Sequence, residues 1–413
     1  MKVVIATDKF KGSLSALQAA RAMERGVLDA DPASQVVTCP MADGGEGTVE
    51  SVVAATGAEV REEQVEGPLP GQQVKARWAY LPPGTLEGLG PEQSTSGPLG
   101  LLAPREATAV IEMAQASGFS LVPPERRDPL VTTTFGTGQV IRAALDAGCR
   151  QIVVGVGGSA TVDGGTGMAR ALGYRFLDGR GEEVPQGGGA LGLIRSIDTD
   201  GKDGRLEGAT LLVASDVDNP LVGAEGAAGV YGPQKGASGS DVESLDSGLA
   251  NLGRLIESGM GVRVLDLPGG GAAGGLGAGL VAFCGAEIVS GVLLVASLVG
   301  LQGKVRSADL VLTGEGSYDS QTARGKTPAG VAAIAREAGV PAVIIAGRVV
   351  AEADFEPGAG VAVFTVCPGP MGEAEAMENA AELVRIAARR LMTVMGIGAM
   401  ICKRKEAGGD EKG

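Results

Sequence analysis

Two segments of the chain repeat one pattern: Asp43-Gly44-Gly45-Glu46-Gly47-Thr48 and Asp163-Gly164-Gly165-Thr166-Gly167-Met168, each directly before a helical run. In such a loop the backbone amides at the helix start can face an anion, while the aspartate holds a cation or accepts a proton. The plainer role is an Asp N-cap with glycines chosen for tight turns. One loop would need no more than that; the recurrence favours chemistry. Gly155-Val156-Gly157-Gly158-Ser159-Ala160 leaves an apolar run, Gln151 to Val154, and leads into the second loop. Ligands collect at the carboxyl ends of strands, so this turn is a candidate phosphate or small-acid site, with an ordinary strand-to-helix turn as its alternative.

Acidic clusters follow two further apolar runs. Ser215-Asp216-Val217-Asp218-Asn219 comes after Leu211 to Ala214, and Gly314-Glu315-Gly316-Ser317-Tyr318-Asp319 comes after Leu310 to Thr313. Carboxylates without histidine suit Mg²⁺ better than a transition metal; solvated loop acids are the other reading. Cationic candidates are Lys9 and Lys11, between the first apolar run and its helix, and Lys326. Each could meet a carboxylate or phosphate, or simply be solvated. Two glycine spacings carry little: G-x-G-x-x-G occurs at Gly187/Gly189/Gly192 and Gly269/Gly271/Gly274, which is about the number chance supplies at this glycine content. Ser320-x4-Gly325-Lys326-Thr327 only approaches a P-loop, because its first glycine is replaced, Pro328 follows at once, and the run Leu310 to Thr313 is followed by more than ten loop residues.

Composition narrows the chemistry further. There is no histidine among 413 residues, so His-based nucleophile relays and His metal sites are excluded. A formal net charge of −14 opposes binding to a phosphate backbone, and nucleic acid is not an expected partner. Five scattered cysteines, Cys39, Cys149, Cys284, Cys367 and Cys402, form no C-x-x-C pair and read as reduced thiols of a cytoplasmic protein. The longest apolar stretch, Val289 to Leu301, is shorter than the roughly 20 residues that a spanning helix needs, and no membrane association is expected.

These groups require an α/β scaffold. Val3 to Ala6 reads as a strand, followed by a helix from Leu14 to Leu28 with Ser13 as N-cap; Val36 to Thr38 and Thr48 to Thr56 form a second such pair. Alternating residues from Arg61 to Leu81 around Gly67-Pro68 and Pro70-Gly71 predict a hairpin, and Glu87 to Gly100 a loop excursion. Strands at Gln151–Val156 and Thr210–Ala214, and a helix over 241–258, follow. From Asp309 onward strands and helices alternate again. A discontinuous α/β domain, 1–62 plus 293–400, hosting a second domain at 63–292 and ending in a frayed tail at 403–413, is the economical organisation.

Taken in order, the strings TDKFKGS, MADGGEGT, TTTFGTG, GVGGSATVDGG, SDVDNPL, YGPQKGA, LPGGGAAGGLGAGL and LTGEGSYDSQTARGK closely resemble the bacterial glycerate kinase family from Lys2 to about Val366. The resemblance implies a Rossmann-like α/β domain built from both chain ends, a second α/β domain, and an active site in the cleft between them. It also implies an ATP-dependent, Mg²⁺-requiring kinase of D-glycerate with 2-phosphoglycerate as the usual product. Three places depart from the family form: Thr7 and Lys9 replace Pro and Ser, Val162 replaces Asn, and Ser317 with Arg324 replace Arg and His.

Phosphoryl transfer needs in-line positioning, charge neutralisation and a carboxylate near the acceptor hydroxyl. The reading assigns Asp43 or Asp163 to the acceptor side, Lys11 and Lys326 to anionic groups, and Asp216 with Glu315 to Mg²⁺. Backbone amides of Gly157, Gly158 and Ser159 and of Gly271, Gly274 and Gly275 would cradle the glycerate carboxylate or the ATP phosphates, with the pairing of loop and ligand left open. Gly44, Gly45, Glu46, Asp319 and Arg324 are counted with them. A kinase for another small hydroxy acid, or a sensor on the same fold, is the alternative; a homodimer is left open.

Overall fold

The structure, a computed structural model, describes residues 1–87, 98–319, 326–350 and 360–409. It is a mixed α/β protein in two compact units, Met1–Ala42 with Val299–Gly413 and Asp43–Leu298.

The first unit is built on a parallel sheet in the order β13-β12-β11-β1-β2, with β1 Lys2–Ile5, β2 Gln35–Thr38, β11 Leu310–Tyr318, β12 Ala342–Val349 and β13 Val361–Thr365. Its central strands are runs of Val, Ile and Leu buried on both faces, as a parallel sheet requires. Helix α1, Ala16–Ala30, packs Ala19, Met23 and Val27 against Val384, Ala388 and Leu391 of α13, Ala380–Gly409. Short helices α10, Leu301–Val305, α11, Thr327–Glu337, and α12, Glu373–Glu378, complete the unit.

The second unit carries a six-stranded sheet in the order β10-β9-β6-β5-β4-β3: β3 Glu59–Glu66, β4 Gln73–Leu81, β5 Thr108–Glu112, β6 Gln151–Gly155, β9 Thr210–Ala214 and β10 Glu287–Val289. The four strands β5, β6, β9 and β10 run parallel, and β3 and β4 form the antiparallel hairpin. Ile152 and Val154 of β6 enter one core with Trp78, Leu172 and Phe176, while Val153 enters the other with Leu212, Leu294 and Leu298, the period-two signature of a sheet buried on both faces. Around it lie α2 Thr48–Thr56, α3 Ala114–Ser117, α4 Phe135–Asp146, α5 Thr166–Ala171, α6 Ala227–Tyr231, α7 Gly239–Met260, α8 Ala272–Cys284 and α9 Gly291–Leu298. A small antiparallel pair, β7 Arg175–Leu177 and β8 Ser196–Asp198, has no counterpart in the sequence reading.

Several boundaries differ from those expected. The units divide at 42/43 and 298/299 rather than near 62 and 293. Val49 and Val52 of α2 share one core with Ala79 of β4, Val110 of β5 and Leu294 and Leu298 of α9, so these helices belong to the second sheet. Ser15, not Ser13, caps α1, through a capping box with Gln18, while Ser13 Oγ donates to the Phe10 carbonyl. The strand expected to end at Thr313 continues to Tyr318 because β12 offers it a parallel partner as far as Val349. In place of a frayed tail from residue 403, α13 runs to Gly409. Among the described residues no helix is long and apolar enough to cross a membrane, and all five cysteines are free.

Candidate active site

In the second unit the first Asp-Gly-Gly loop lies across the carboxyl ends of β6 and β9. Gly44 adopts φ +84°, and a Cβ there would come within 2.5 Å of the Ala214 carbonyl oxygen, so only glycine lets the loop sit this close. Glu112, at the end of β5, accepts hydrogen bonds from the amides of Gly47 and Val49 at 3.0 and 2.7 Å and thereby caps α2. This buried carboxylate escaped the sequence reading; its only local signal is an acid ending an apolar strand. Asp43, half-buried, accepts one bond from the Gly45 amide at 3.1 Å. Glu46 is exposed at the loop tip.

Asp216 comes next to Asp43. A Cβ built on Gly291 would lie 2.2 Å from the Asp43 carbonyl oxygen and 3.0 Å from Asp216 Oδ2. Ser290 Oγ donates to Asp216 Oδ1 at 2.7 Å, and the Val292 amide donates to Oδ2 at 3.0 Å. Burial, with the Asp43 charge adding to it, pushes the Asp216 carboxyl up to about 6 against these donors. Two neighbouring carboxylates of this kind present hard oxygens and like charge, which a divalent cation would offset. Among the described residues no cluster of three or more Cys, Asp or Glu side chains forms a metal cage. One or two carboxylates of this kind suit a hard cation that completes its shell with other oxygens, rather than a caged ion.

Asp163 occupies the equivalent place in the second loop with a different result. It is fully buried and accepts four hydrogen bonds: from the Thr134 amide and Oγ1, both at 2.8 Å, from the Gly165 amide at 3.1 Å and from the Gly167 amide at 3.2 Å. Burial pushes its carboxyl up and the four donors oppose the shift. Oδ2 takes three of these bonds and Oδ1 one, so Asp163 ties the start of α4 to the start of α5.

The glycine loops also part company. Gly271, Gly274 and Gly275 are buried, and the Gly271 amide already donates to the Asn219 carbonyl at 2.9 Å. Ala273, Gly274 and Gly275 all take left-handed backbone conformations, and a Cβ on Gly274 would lie 1.9 Å from the Thr161 carbonyl oxygen. This tract packs closely against Thr161 and the second Asp-Gly-Gly loop. At the end of β6, by contrast, Gly157 is half-buried and Gly158 exposed, and the amides of Gly158 and Ser159 have no acceptor among the described residues. Lys235, which the sequence reading passed over inside YGPQKGA, is buried beside them. Its Nζ donates to Ser159 Oγ at 2.6 Å and to the Thr161 carbonyl at 2.7 Å. Burial pulls its ammonium down to about 7, although the Asp163 charge holds it up.

The first unit gathers its polar groups at the carboxyl ends of β1 and β11. Asp8, buried just beyond β1, accepts from the Lys9 amide at 2.7 Å and from Thr327 Oγ1 at 2.7 Å, which ties that loop to the start of α11. Lys326 stands at the N-cap position of α11 and is half-buried; Lys11 is exposed. Glu315 lies within β11 and is largely buried, while Asp319 is half-buried just beyond it. Arg324, with Ser320 and Gly325, lies outside the described residues. Of the departures from the family form, Thr7 is fully buried and its hydroxyl donates to the Gly314 carbonyl at 3.0 Å. Val162 is fully buried in the main apolar core.

Comparison with known proteins bears directly on this arrangement. A model of the glycerate kinase family matches residues 3–396. The chain is 48% identical over 394 residues to a glycerate kinase of Halalkalibacterium halodurans, covering 95% of this chain and 97% of that one. It is 43% identical to the glycerate 2-kinase of Escherichia coli over 399 residues, with 96% and 99% covered. A crystal structure described as glycerate kinase 2 from Salmonella typhimurium LT2 superposes with a TM-score of 0.80 at 45% identity, over 97% of this chain and 99% of that one. The protein is therefore a kinase, and the chain belongs to the glycerate kinase family.

Proposed function

We propose that the protein transfers the γ-phosphoryl group of ATP to D-glycerate and forms 2-phosphoglycerate. The observation that carries this reading is likeness along nearly the whole length of a relative named glycerate 2-kinase. Asp43 is the acceptor-side carboxylate: half-buried, with one internal donor, it keeps acceptor capacity for a substrate hydroxyl. Gly158 and Ser159 supply donors to an anionic oxygen, and Lys11 and Lys326 supply charge toward phosphate. Asp216, beside Asp43, would hold Mg²⁺, which when bound with the nucleotide would neutralise charge on the transferred group. Free thiols and the use of ATP accord with a cytoplasmic setting.

A coupled ADP-release assay with D-glycerate tests the reading, and ³¹P NMR of the product identifies the phosphorylated hydroxyl. Turnover with a different hydroxy acid and little with glycerate would replace the substrate. A 3-phospho product would replace the regiochemistry.

A further inference from the structure

Lys235 is a cation buried at 3% exposure in a chain short of positive charge, and the proposed chemistry makes no use of it. Its position follows from α6 and the short turn behind it. Pro233–Lys235 form a 3₁₀ turn, and Gly236 then closes against the Arg127 carbonyl. An ammonium has three hydrogens and no acceptor. Two of its hydrogens go to Ser159 Oγ and the Thr161 carbonyl. Ser159 Oγ is therefore an acceptor in this pair, and its own hydrogen has to be directed elsewhere. Among the described residues that hydrogen meets no acceptor. The amides of Gly158 and Ser159 are open in the same turn, and the Thr161 hydroxyl, fully buried, has no partner among the described residues. Three unfilled donors in one turn, two amides and a hydroxyl, suit an anionic oxygen as their acceptor.

We propose that Lys235 is a positioning residue that holds the Ser159 hydroxyl with its hydrogen outward, so that Ser159 and the neighbouring amides receive the carboxylate of the hydroxy-acid acceptor. The inference rests on the functional reading above and assigns to the β6 turn the acid rather than the nucleotide. A pH effect follows. The titratable and charged groups around Lys235 are Asp163, whose charge acts on it, Tyr231, whose ring lies 5.9 Å from Nζ and whose hydroxyl donates to Asn219, and Arg127, stacked on Phe119 beside the turn. Once Lys235 loses its proton, the free amine can accept the Ser159 hydrogen. The hydroxyl then turns inward and the carboxylate loses a donor.

Steady-state kinetics of the full chain with D-glycerate and ATP tests this with Lys235→Met, Lys235→Gln, Ser159→Ala and the double variant Ser159→Ala/Lys235→Met, each checked for folding by circular dichroism. Lys235→Met should raise KM for glycerate about tenfold, the scale of one lost charge-assisted hydrogen bond, with KM for ATP changed less than about twofold. Lys235→Gln keeps a donor without a titrating proton. It should recover most of the affinity and flatten the rise in glycerate KM expected of the wild type above about pH 7. The double variant should bind glycerate no more weakly than Ser159→Ala. Unchanged glycerate KM in Lys235→Met, an equal effect on ATP, or multiplied effects in the double variant would overturn the assignment. Absence of turnover in the wild type would instead remove the functional reading, and this inference with it.

Discussion

Asp43 and Asp163 head two loops of one pattern, yet Asp43 is half-buried with one donor and Asp163 fully buried with four. Replacing Asp43 by Asn should leave stability near that of the wild type and lower kcat by about 10²-fold or more, the scale of a lost general base. Asp163→Asn should do the reverse in the first instance. It puts an amide NH₂ against a set of donors and should cost about 2–3 kcal/mol in urea unfolding. Near-normal kcat in Asp43→Asn would remove the acceptor-side assignment. Lys235 makes a stability prediction separate from its kinetic one. Its folded pKa of about 7 lies below the unfolded value, so between about pH 7 and 10 the unfolded chain binds more protons and stability rises with pH. The advantage of the wild type over Lys235→Met should therefore grow with pH, by at most about 1.4 kcal/mol per unit, and urea midpoints across that range measure it.

At the scale of elements, short-range signals were legible where local physics is decisive. Thr48–Thr56 carries its own helical period after a glycine turn, and the hairpin β3–β4 announces itself by alternation around Gly67 to Gln72. Signals failed where a distant partner decides. Nothing between Gly314 and Tyr318 looks like strand until β12 is laid beside it. Gly271 to Gly275 gives no local sign of its close packing on Pro220 and Thr161. The end of α13 contributes little to the core: Ile397, Met400 and Ile401 are exposed, as are Lys403 and Arg404. Removing residues 403–413 should change stability by less than about 0.5 kcal/mol in a denaturant titration. A larger loss would show that these residues are held by contacts the exposed helix end does not reveal.

For the whole molecule, the acidic balance sets colloidal behaviour more than fold. Solubility should pass through a minimum near pH 4.7, read by turbidity against pH at constant ionic strength. ATP and glycerate bound to the native state should stabilise it by about 2.7 kcal/mol for each ligand held at a hundredfold excess over its Kd. Thermal unfolding with each ligand alone and with both checks that figure. By itself the sequence determined the α/β class, the exclusion of histidine chemistry and, through an ordered set of motifs, the family. These depend on composition and on contiguous residues. Only the tertiary structure decided which aspartate is fully buried and which half-buried, which glycines pack against distant carbonyls, and that Lys235 stands against Ser159. Those outcomes depend on burial and on partners 29 or more residues away in the chain, such as Thr134 for Asp163 and Ser159 for Lys235. No local pattern encodes such desolvation and such distant hydrogen bonds.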